Sequence, residues 1–349
     1  MSTAGAKIAV PIRAKASMHV VITGGAGFLG SRLARELLAR GTLTDSAGRP
    51  QGLTSLTLLD VAMPASPPVD ARVRSIMGDL ADPRIVAEAV TPDTRSIFHL
   101  AAVVSGQAEA EFDLGMRVNF DATRTLLECC RTLPEPPKVV FTSSLAVFGG
   151  KLRDPVPDDA PLMPQSSYGS QKAMGELLVY DMTRKGYVDG RSLRLPTVTV
   201  RPGKPNRAAS SFASGIIREP LAGVEAICPV GPDTELWVQS PRTVVRNLVL
   251  GHELPADRFA FSRSVNVPGL CVSVGQMVEA LRAEAGDAVA RRVRFQPDAA
   301  VERIVSTWPP RFDARAGAAL GMQADADFAS IVRAYLQDDM PVTPSRRAT

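Results

Sequence analysis

The stretch VVITGGAGFLGSRLARELL, residues 20–38, decides the fold. It opens on an apolar run suited to a buried strand, and from Phe28 onward apolar side chains recur at helical spacing, so a strand passes into a helix through a glycine-rich turn. Gly24, Gly27 and Gly30 each have a reason. The first permits the tight turn, the second lets backbone approach a pyrophosphate, and the third lets helix pack on strand. The helix N-terminus, around Phe28 and Leu29, then faces the phosphates. A glycine triad alone is weak evidence; between an apolar strand and an amphipathic helix it predicts a dinucleotide site rather than a structural turn.

The next strand pattern, LTLLD, closes on Asp60, where a carboxylate can accept hydrogen bonds from adenosine ribose hydroxyls and repel a 2'-phosphate. No arginine stands in the glycine loop or directly after Asp60, which favours NAD over NADP; the plain alternative is a solvent-facing aspartate at a strand end. TLTDSAGRPQGLT, residues 42–54, reads as a loop inserted before that strand. Gly78, Asp79 and Leu80 follow a third strand, and His99, Leu100, Ala101 and Ala102 a fourth. A short acid there can bond the adenine amino group, and small alanines let backbone pass against the cofactor.

Strand patterns at 19–23, 56–60, 73–77, 96–100, 138–143 and 192–198 alternate with helical ones at 28–40, 83–90, 112–131 and 167–185. This predicts an α/β fold, a Rossmann-type doubly wound parallel sheet of six or seven strands spanning residues 18–202. After Pro202 the elements shorten, with helix candidates at 210–221, 242–250, 273–285, 313–320 and 325–336. Residues 203–338 are expected to form a smaller, discontinuously packed C-terminal substrate-binding cap, and 339–349 a loose tail. Residues 1–17, ahead of Met18, are expected to be a disordered extension or a misassigned start, with an organelle-targeting leader as the alternative.

Chemistry enters with SSYGSQK, residues 166–172. Tyr168 and Lys172 are one helical turn apart, so phenol and ammonium can point at one ligand. A phenol titrates near about 10 and is a poor base at neutral pH; a lysine beside it, joined by the positive nicotinamide of an oxidised cofactor, favours the phenolate. Ser143 and Ser144 end the fifth strand, and a hydroxyl there can hold the substrate oxygen while the tyrosine takes its proton; Ser144 is the better placed. Serine pairs at strand ends commonly do no more than cap a turn. For an anionic substrate the candidates are Arg201 and Arg207, with Lys204, Asn206 and Arg242, while Ser105 and Gln107 can meet hydroxyls. Arginines in loops are more commonly solvated charges.

In a chain of 349 residues, 45% apolar and 5% aromatic with net charge +4, basic residues are scattered rather than clustered, which argues against nucleic acid as a partner. No apolar run is long enough to span a bilayer. Cys129, Cys130, Cys228 and Cys271 form no metal-ligand spacing with His19, His99 and His252, so no metal is expected, and free thiols fit a cytoplasmic protein.

With these residues in view, the chain resembles the extended short-chain dehydrogenase/reductase family, which includes nucleotide-sugar epimerases and dehydratases. The resemblance runs from Met18 to about Asp338. It implies a Ser144, Tyr168, Lys172 centre, with Lys172 also bonding the nicotinamide ribose. It matches Asn119, in RVNFDATRTLLE, to the family's asparagine that supports a proton relay through water, and it places Pro196 and Thr197, in LRLPTVTVRPG, beside nicotinamide and substrate. Two departures stand out: Thr197 replaces an asparagine usual in the sugar-nucleotide enzymes, and ELWVQSPRTVV lacks their Arg-Asp-aromatic segment and Val-x-Asp. Together with HLAAVVSGQAEAEFDLG and SSYGSQKAMGELL, this is similar to a branch that oxidises the C2 hydroxyl of a small polyhydroxy acid with NAD. The resemblance implies a homodimer paired through helices 112–131 and 167–185. A nucleotide-sugar epimerase or dehydratase and a non-catalytic NAD-sensing regulator remain the rival readings.

Overall fold

The computed structural model describes residues 18–205 and 208–340. Its strands are β1 Met18–Thr23, β2 Thr42–Thr44, β3 Pro50–Asp60, β4 Val73–Met77, β5 Thr94–His99, β6 Lys138–Ser144, β7 Asp189–Leu195, β8 Thr197–Val198, β9 Ala226–Cys228, β10 Glu235–Gln239, β11 Ser264–Asn266, β12 Leu270–Ser273 and β13 Val293–Phe295. Its helices are α1 Phe28–Arg40, α2 Pro83–Ala89, α3 Ser105–Ala110, α4 Phe112–Gly115, α5 Ala122–Cys130, α6 Ser167–Arg184, α7 Ser211–Leu221, α8 Pro241–Glu253, α9 Val274–Ala285, α10 Asp287–Ala290, α11 Ala299–Val305, α12 Arg315–Ala319 and α13 Phe328–Asp338.

Seven strands run parallel in the order β4-β3-β1-β5-β6-β7-β11, with β2 antiparallel on the first half of β3. This is a Rossmann-type sheet whose order reverses between β1 and β5, where the carboxyl edge opens a crevice. Side chains alternate between faces along a strand, and both faces are covered. Val20 and Ile22 join Leu33 and Leu37 of α1 and Leu248 of α8 on one side, while Val21 and Ile97 join Leu126 of α5 and Val179 of α6 on the other. A separate core of Phe212, Ile216, Met277, Leu281 and Ile331 fills the C-terminal part. Yet α8 packs on α1, β6 and β7, and β11 extends the large sheet, so residues beyond 202 return to the first core. No described helix is long and apolar enough to cross a membrane.

Several boundaries differ from expectation. The inserted loop of 42–54 is a hairpin, with Thr42 paired to Gly52 and Thr44 to Pro50 around a turn that Asp45 holds through the N–H groups of Ala47 and Arg49. The strand expected over 192–198 breaks at Pro196, which has no N–H for a ladder; β7 stays in the large sheet and β8 leaves to pair with β10. The single helix expected over 112–131 contains a π-helical turn, Met116–Asp121. The last helix begins at Phe328, where Asp327 caps it, rather than at 325. Of the expected tail, Asp339 is fixed by the Arg32 guanidinium at 2.7 Å, and residues 341–349 lie outside those described, as do 1–17.

Candidate active site

The glycine turn joins β1 to α1 at the sheet's carboxyl edge. Gly24 has φ +70°, and a Cβ there would fall 2.8 Å from the Ala101 nitrogen, so β1's turn and the loop after β5 touch backbone to backbone. Gly27 caps α1 with no side-chain hydrogen bond, which leaves the first-turn N–H groups to the crevice. Asp60, ending β3, accepts the Ala26 N–H at 3.0 Å and so ties the glycine loop to the end of β3. Asp79 accepts the Ala81 N–H at 2.8 Å and pairs with Arg117 of the π turn. These residues, with Phe28, Leu29, Gly30, Leu80, Leu100, Ala101 and Ala102, line one cleft of about 1110 Å³. A backbone cradle, an uncapped helix N-terminus and a carboxylate at the end of β3 are what a dinucleotide requires, and NAD fits them.

Ser144, Tyr168 and Lys172 line the same cleft. The two serines at the end of β6 face opposite ways, as pleating dictates. Ser143 donates to Glu176 at 2.5 Å, whereas Ser144 Oγ accepts the Ala146 N–H at 3.1 Å and bonds the Tyr168 hydroxyl. Helix α6 starts one residue before Tyr168 because Ser166 Oγ accepts the Gly169 N–H at 3.1 Å and Glu109 accepts that of Ser167 at 2.8 Å. A Cβ on Gly169 would lie 2.1 Å from the Ala146 carbonyl, so only glycine lets the phenol approach the Ser144 turn this closely.

Electrostatically the pair departs from expectation. Burial pushes the Tyr168 phenol up to about 12, against the Ser144 hydrogen bond and the positive charge of Arg201. Burial likewise lowers the Lys172 ammonium to about 7, with the Glu176 carboxylate opposing. Lys172 Nζ lies over ring faces, 4.8 Å from the Phe141 centroid and 5.8 Å from that of Tyr168. Of the nearby cations, Arg201 favours the phenolate, while Lys172, pushed toward its neutral form by burial, lies over the phenol ring.

Arg201 follows β8. Its N–H donates to Ser214 at 3.0 Å and its carbonyl accepts from Arg218 at 2.8 Å, but its own buried Nη2 has no hydrogen-bond partner. A guanidinium with a free donor beside a phenol is an anion site waiting for an acceptor. Ser105 and Gln107, in the first turn of α3, and Pro196 and Thr197 line the cleft as well. Lys204 is exposed and does not line it. Arg242 is corrected: it lies on α8, pairs with Asp338 at 2.6 Å and does not line the cleft, because the start of α8 faces the end of α13. Asn206 and Arg207 lie outside the described residues.

Asn119 sits in the π turn, buried, and does not line the cleft. Its Oδ1 accepts the Val103 N–H at 2.8 Å and its Nδ2 donates to the Val103 carbonyl at 3.1 Å and to Gln171 at 2.7 Å. It therefore grips the loop after β5, whose Val103 lines the cleft. His99 completes that frame, bonding Thr23 at 2.6 Å and Thr123 at 2.8 Å, and burial holds its imidazole neutral, down to about 3.

The far wall was not legible in the sequence. Phe148 and Trp237 each pack tilted against Phe312, with ring centroids 5.8 and 5.9 Å away, and Arg303 and Trp308 line the same cleft. Apolar side chains scattered over such distances carry no motif.

A family model, the NAD dependent epimerase/dehydratase family, matches residues 20–237. The chain is 60% identical over 321 residues to D-erythronate dehydrogenase of Cupriavidus necator, covering 92% of this chain and 98% of that protein. It is 45% identical to the enzyme of the same name from Haemophilus influenzae, covering 93% of this chain and 100% of that one. A crystal structure described as a nucleoside-diphosphate-sugar epimerase from Agrobacterium tumefaciens superposes with TM-score 0.86 at 40% identity, over 92% of this chain and 94% of that one. With that family model matching well over half of the chain and relatives of 60% and 45% identity matched over nearly their whole length, the protein belongs to the NAD-dependent epimerase/dehydratase family.

Proposed function

We propose that the protein is an NAD-dependent D-erythronate dehydrogenase, oxidising the C2 hydroxyl to give 2-oxo-tetronate. The observation that carries the substrate class is the unpartnered Arg201 Nη2 beside Tyr168. In a 2-hydroxy acid the carboxylate is bonded to the reacting carbon, so an anion site must adjoin the proton acceptor, and Arg201 meets that condition. The near-complete coverage of two relatives of that name narrows the acid.

In this reading Arg201 holds the carboxylate, Ser144 orients the C2 hydroxyl, and Tyr168 takes its proton; Ser105 and Thr197 are placed to meet the remaining hydroxyls, and Arg207 is a further candidate from the sequence. Bound NAD supplies the hydride acceptor and a positive ring. Lys172 bonds the nicotinamide ribose and adds a cation near the phenol, and Asn119 keeps the β5 loop in position. Gly24, Gly27, Gly30, Phe28, Leu29, Asp60, Asp79, Leu80, Leu100, Ala101, Ala102 and Pro196 make the cofactor bed. Residues 18–202 carry the cofactor and the proton chemistry, and residues 203–338 cap the substrate. The aromatic wall of Phe148, Trp237 and Phe312 excludes water from the carbon chain.

The protein forms a homodimer through the outer faces of α4, the π turn, α5 and α6, on which Phe112 and Leu177 are 58% and 62% exposed. A sedimentation mass near 37.1 kDa at micromolar concentration would contradict this. Four free cysteines agree with a cytoplasmic setting.

The Agrobacterium structure's description favours a second reading, a nucleotide-sugar epimerase. Such an enzyme recycles its NAD and releases no NADH. The test is absorbance at 340 nm with NAD and, separately, D-erythronate, L-threonate, D-threonate and glycerate. NADH formed from D-erythronate alone is the expected outcome. No reduction with any acid, alongside NAD binding, would leave the epimerase or a non-catalytic NAD sensor.

A further inference from the structure

One turn beyond Lys172 on α6 stands Glu176, 3% exposed. Its carboxylate is gripped from two strands. Ser143 of β6 donates to Oε1 at 2.5 Å, and Arg194 of β7 donates through Nε at 2.9 and 3.1 Å and through Nη2 at 2.7 Å. Arg194 also donates to Asn266 of β11 at 3.3 Å and lies 4.9 Å from the ring centre of Phe148, which lines the cleft. One carboxylate therefore fastens the strand end beside Ser144, the helix carrying Tyr168 and Lys172, and the strand that ends beside Pro196.

Stability does not explain a charged pair in this place. Desolvating two ions costs several kcal/mol each, and apolar residues of equal volume commonly do as well or better. The neighbours of Lys172 suggest what the pair is for. From its own helix Lys172 faces Tyr168 and Glu176, from β6 the Phe141 ring, and from β5 His99, which is neutral; Arg194 lies behind Glu176 and Arg201 beyond Tyr168. Glu176 is the anion in that set, and it opposes the loss of the Lys172 proton that burial favours.

We propose that Glu176, braced by Arg194, is a positioning residue for the oxidation: it sets a carboxylate one helical turn beyond Lys172 and fixes Ser144 and α6 in one register. This rests on the reading of Tyr168 and Lys172 as the proton-handling pair. Glu176→Gln alone strands a buried guanidinium and can fail to fold, so it is paired with Glu176→Gln/Arg194→Gln, which removes both charges.

The direct readout is the Lys172 titration, followed in the free protein by NMR of lysine labelled at Cε and assigned with Lys172→Met. Its midpoint is expected to fall by about one pH unit in the double variant, a tenfold change in proton affinity. With NAD and D-erythronate, the alkaline decline of kcat moves down by the same amount, while the NAD dissociation constant, read by tryptophan quenching, changes less than about threefold. A folded double variant with an unmoved Lys172 midpoint overturns the proposal, and so does NAD affinity that collapses in step with kcat. If the midpoint shifts as expected but the wild type yields no NADH, the failure lies with the assigned reaction and not with Glu176.

Discussion

The two edges of the large sheet both bury charge and handle it differently. At the amino edge Lys138, Arg191, His252, Glu253 and Asp189 form a closed network: Lys138 donates to Thr44 at 2.7 Å and to the His252 carbonyl at 2.9 Å, Arg191 pairs with Asp189 at 2.9 Å, and His252 bonds Glu253 and Ser96 at 2.9 and 2.6 Å. Only Arg191 Nε lacks a partner there. At the carboxyl edge the Arg201 Nη2 is left over, Lys172 rests on ring faces, and the Tyr168 hydroxyl meets Ser144. Each edge leaves one guanidinium nitrogen unpaired, but that of Arg191 is enclosed by ion pairs and backbone while Arg201 lines the cleft, where a ligand can reach it. Substitutions at the two edges should therefore fail in different ways.

The largest effect belongs to Tyr168→Phe, which removes the proton acceptor and leaves the ring in place. Turnover should fall by roughly a thousandfold or more, the scale of lost general acid-base catalysis, with NAD binding and thermal midpoint little changed. Retained turnover would break the comparison at its strongest point. Next comes Arg201→Met, which keeps much of the stem and removes the charge. Loss of a buried ionic contact to substrate costs about 2–5 kcal/mol, so kcat/KM for D-erythronate should drop by roughly 30-fold to a few thousandfold while the NAD dissociation constant holds. An unchanged kcat/KM would move the carboxylate to another cation.

How far the sequence carried follows the same division. Elements with local chemistry were legible: the glycine turn, Asp60 at its strand end, and the helix from Phe28 to Arg40, whose bounds match the expectation residue for residue. Tyr168, Lys172 and Ser144 were brought together by their positions on a helix and a strand end, which periodicity conveys. What was not legible depends on long-range packing. Arg242 looked as free as Arg201 until α13 supplied Asp338. The aromatic wall draws on residues from 148 to 312, and the π turn is a misfit of helix phase that no residue type announces.

At the amino edge, Asp189→Asn should leave catalysis alone and weaken the fold. Asp189 accepts from both Arg191 and Arg263, so neutralising it takes from a fully buried guanidinium its paired carboxylate, at about 3–5 kcal/mol. At roughly 2–4 °C per kcal/mol for large domains, the thermal midpoint should fall by about 6–20 °C, with kcat at 25 °C within about twofold of wild type. A comparable loss of kcat in well-folded protein would show the edges to be coupled.

The smallest effect sharpens the comparison through pH. Burial, with Lys138 and Arg191 nearby, lowers His252 to about 4, and burial with Lys172 nearby lowers His99 to about 3. Both rings are neutral in the folded protein at pH 7, while in the unfolded chain they take protons below about 6.5. Between those limits the unfolded state binds more protons, so stability falls as pH drops from about 6.5, by at most about 1.4 kcal/mol per pH unit for each ring. The His252 contribution ends near pH 4 and that of His99 near pH 3. His252→Gln keeps a group that can bond Ser96 and cannot titrate, so thermal midpoints measured from pH 7 to 4 should fall on a shallower slope than those of the wild type, with His99 and His19, both also lowered by burial, still contributing. An unaltered slope would mean that the closed network at the amino edge admits protons as readily as water does, and the contrast between the two edges would then rest on geometry alone.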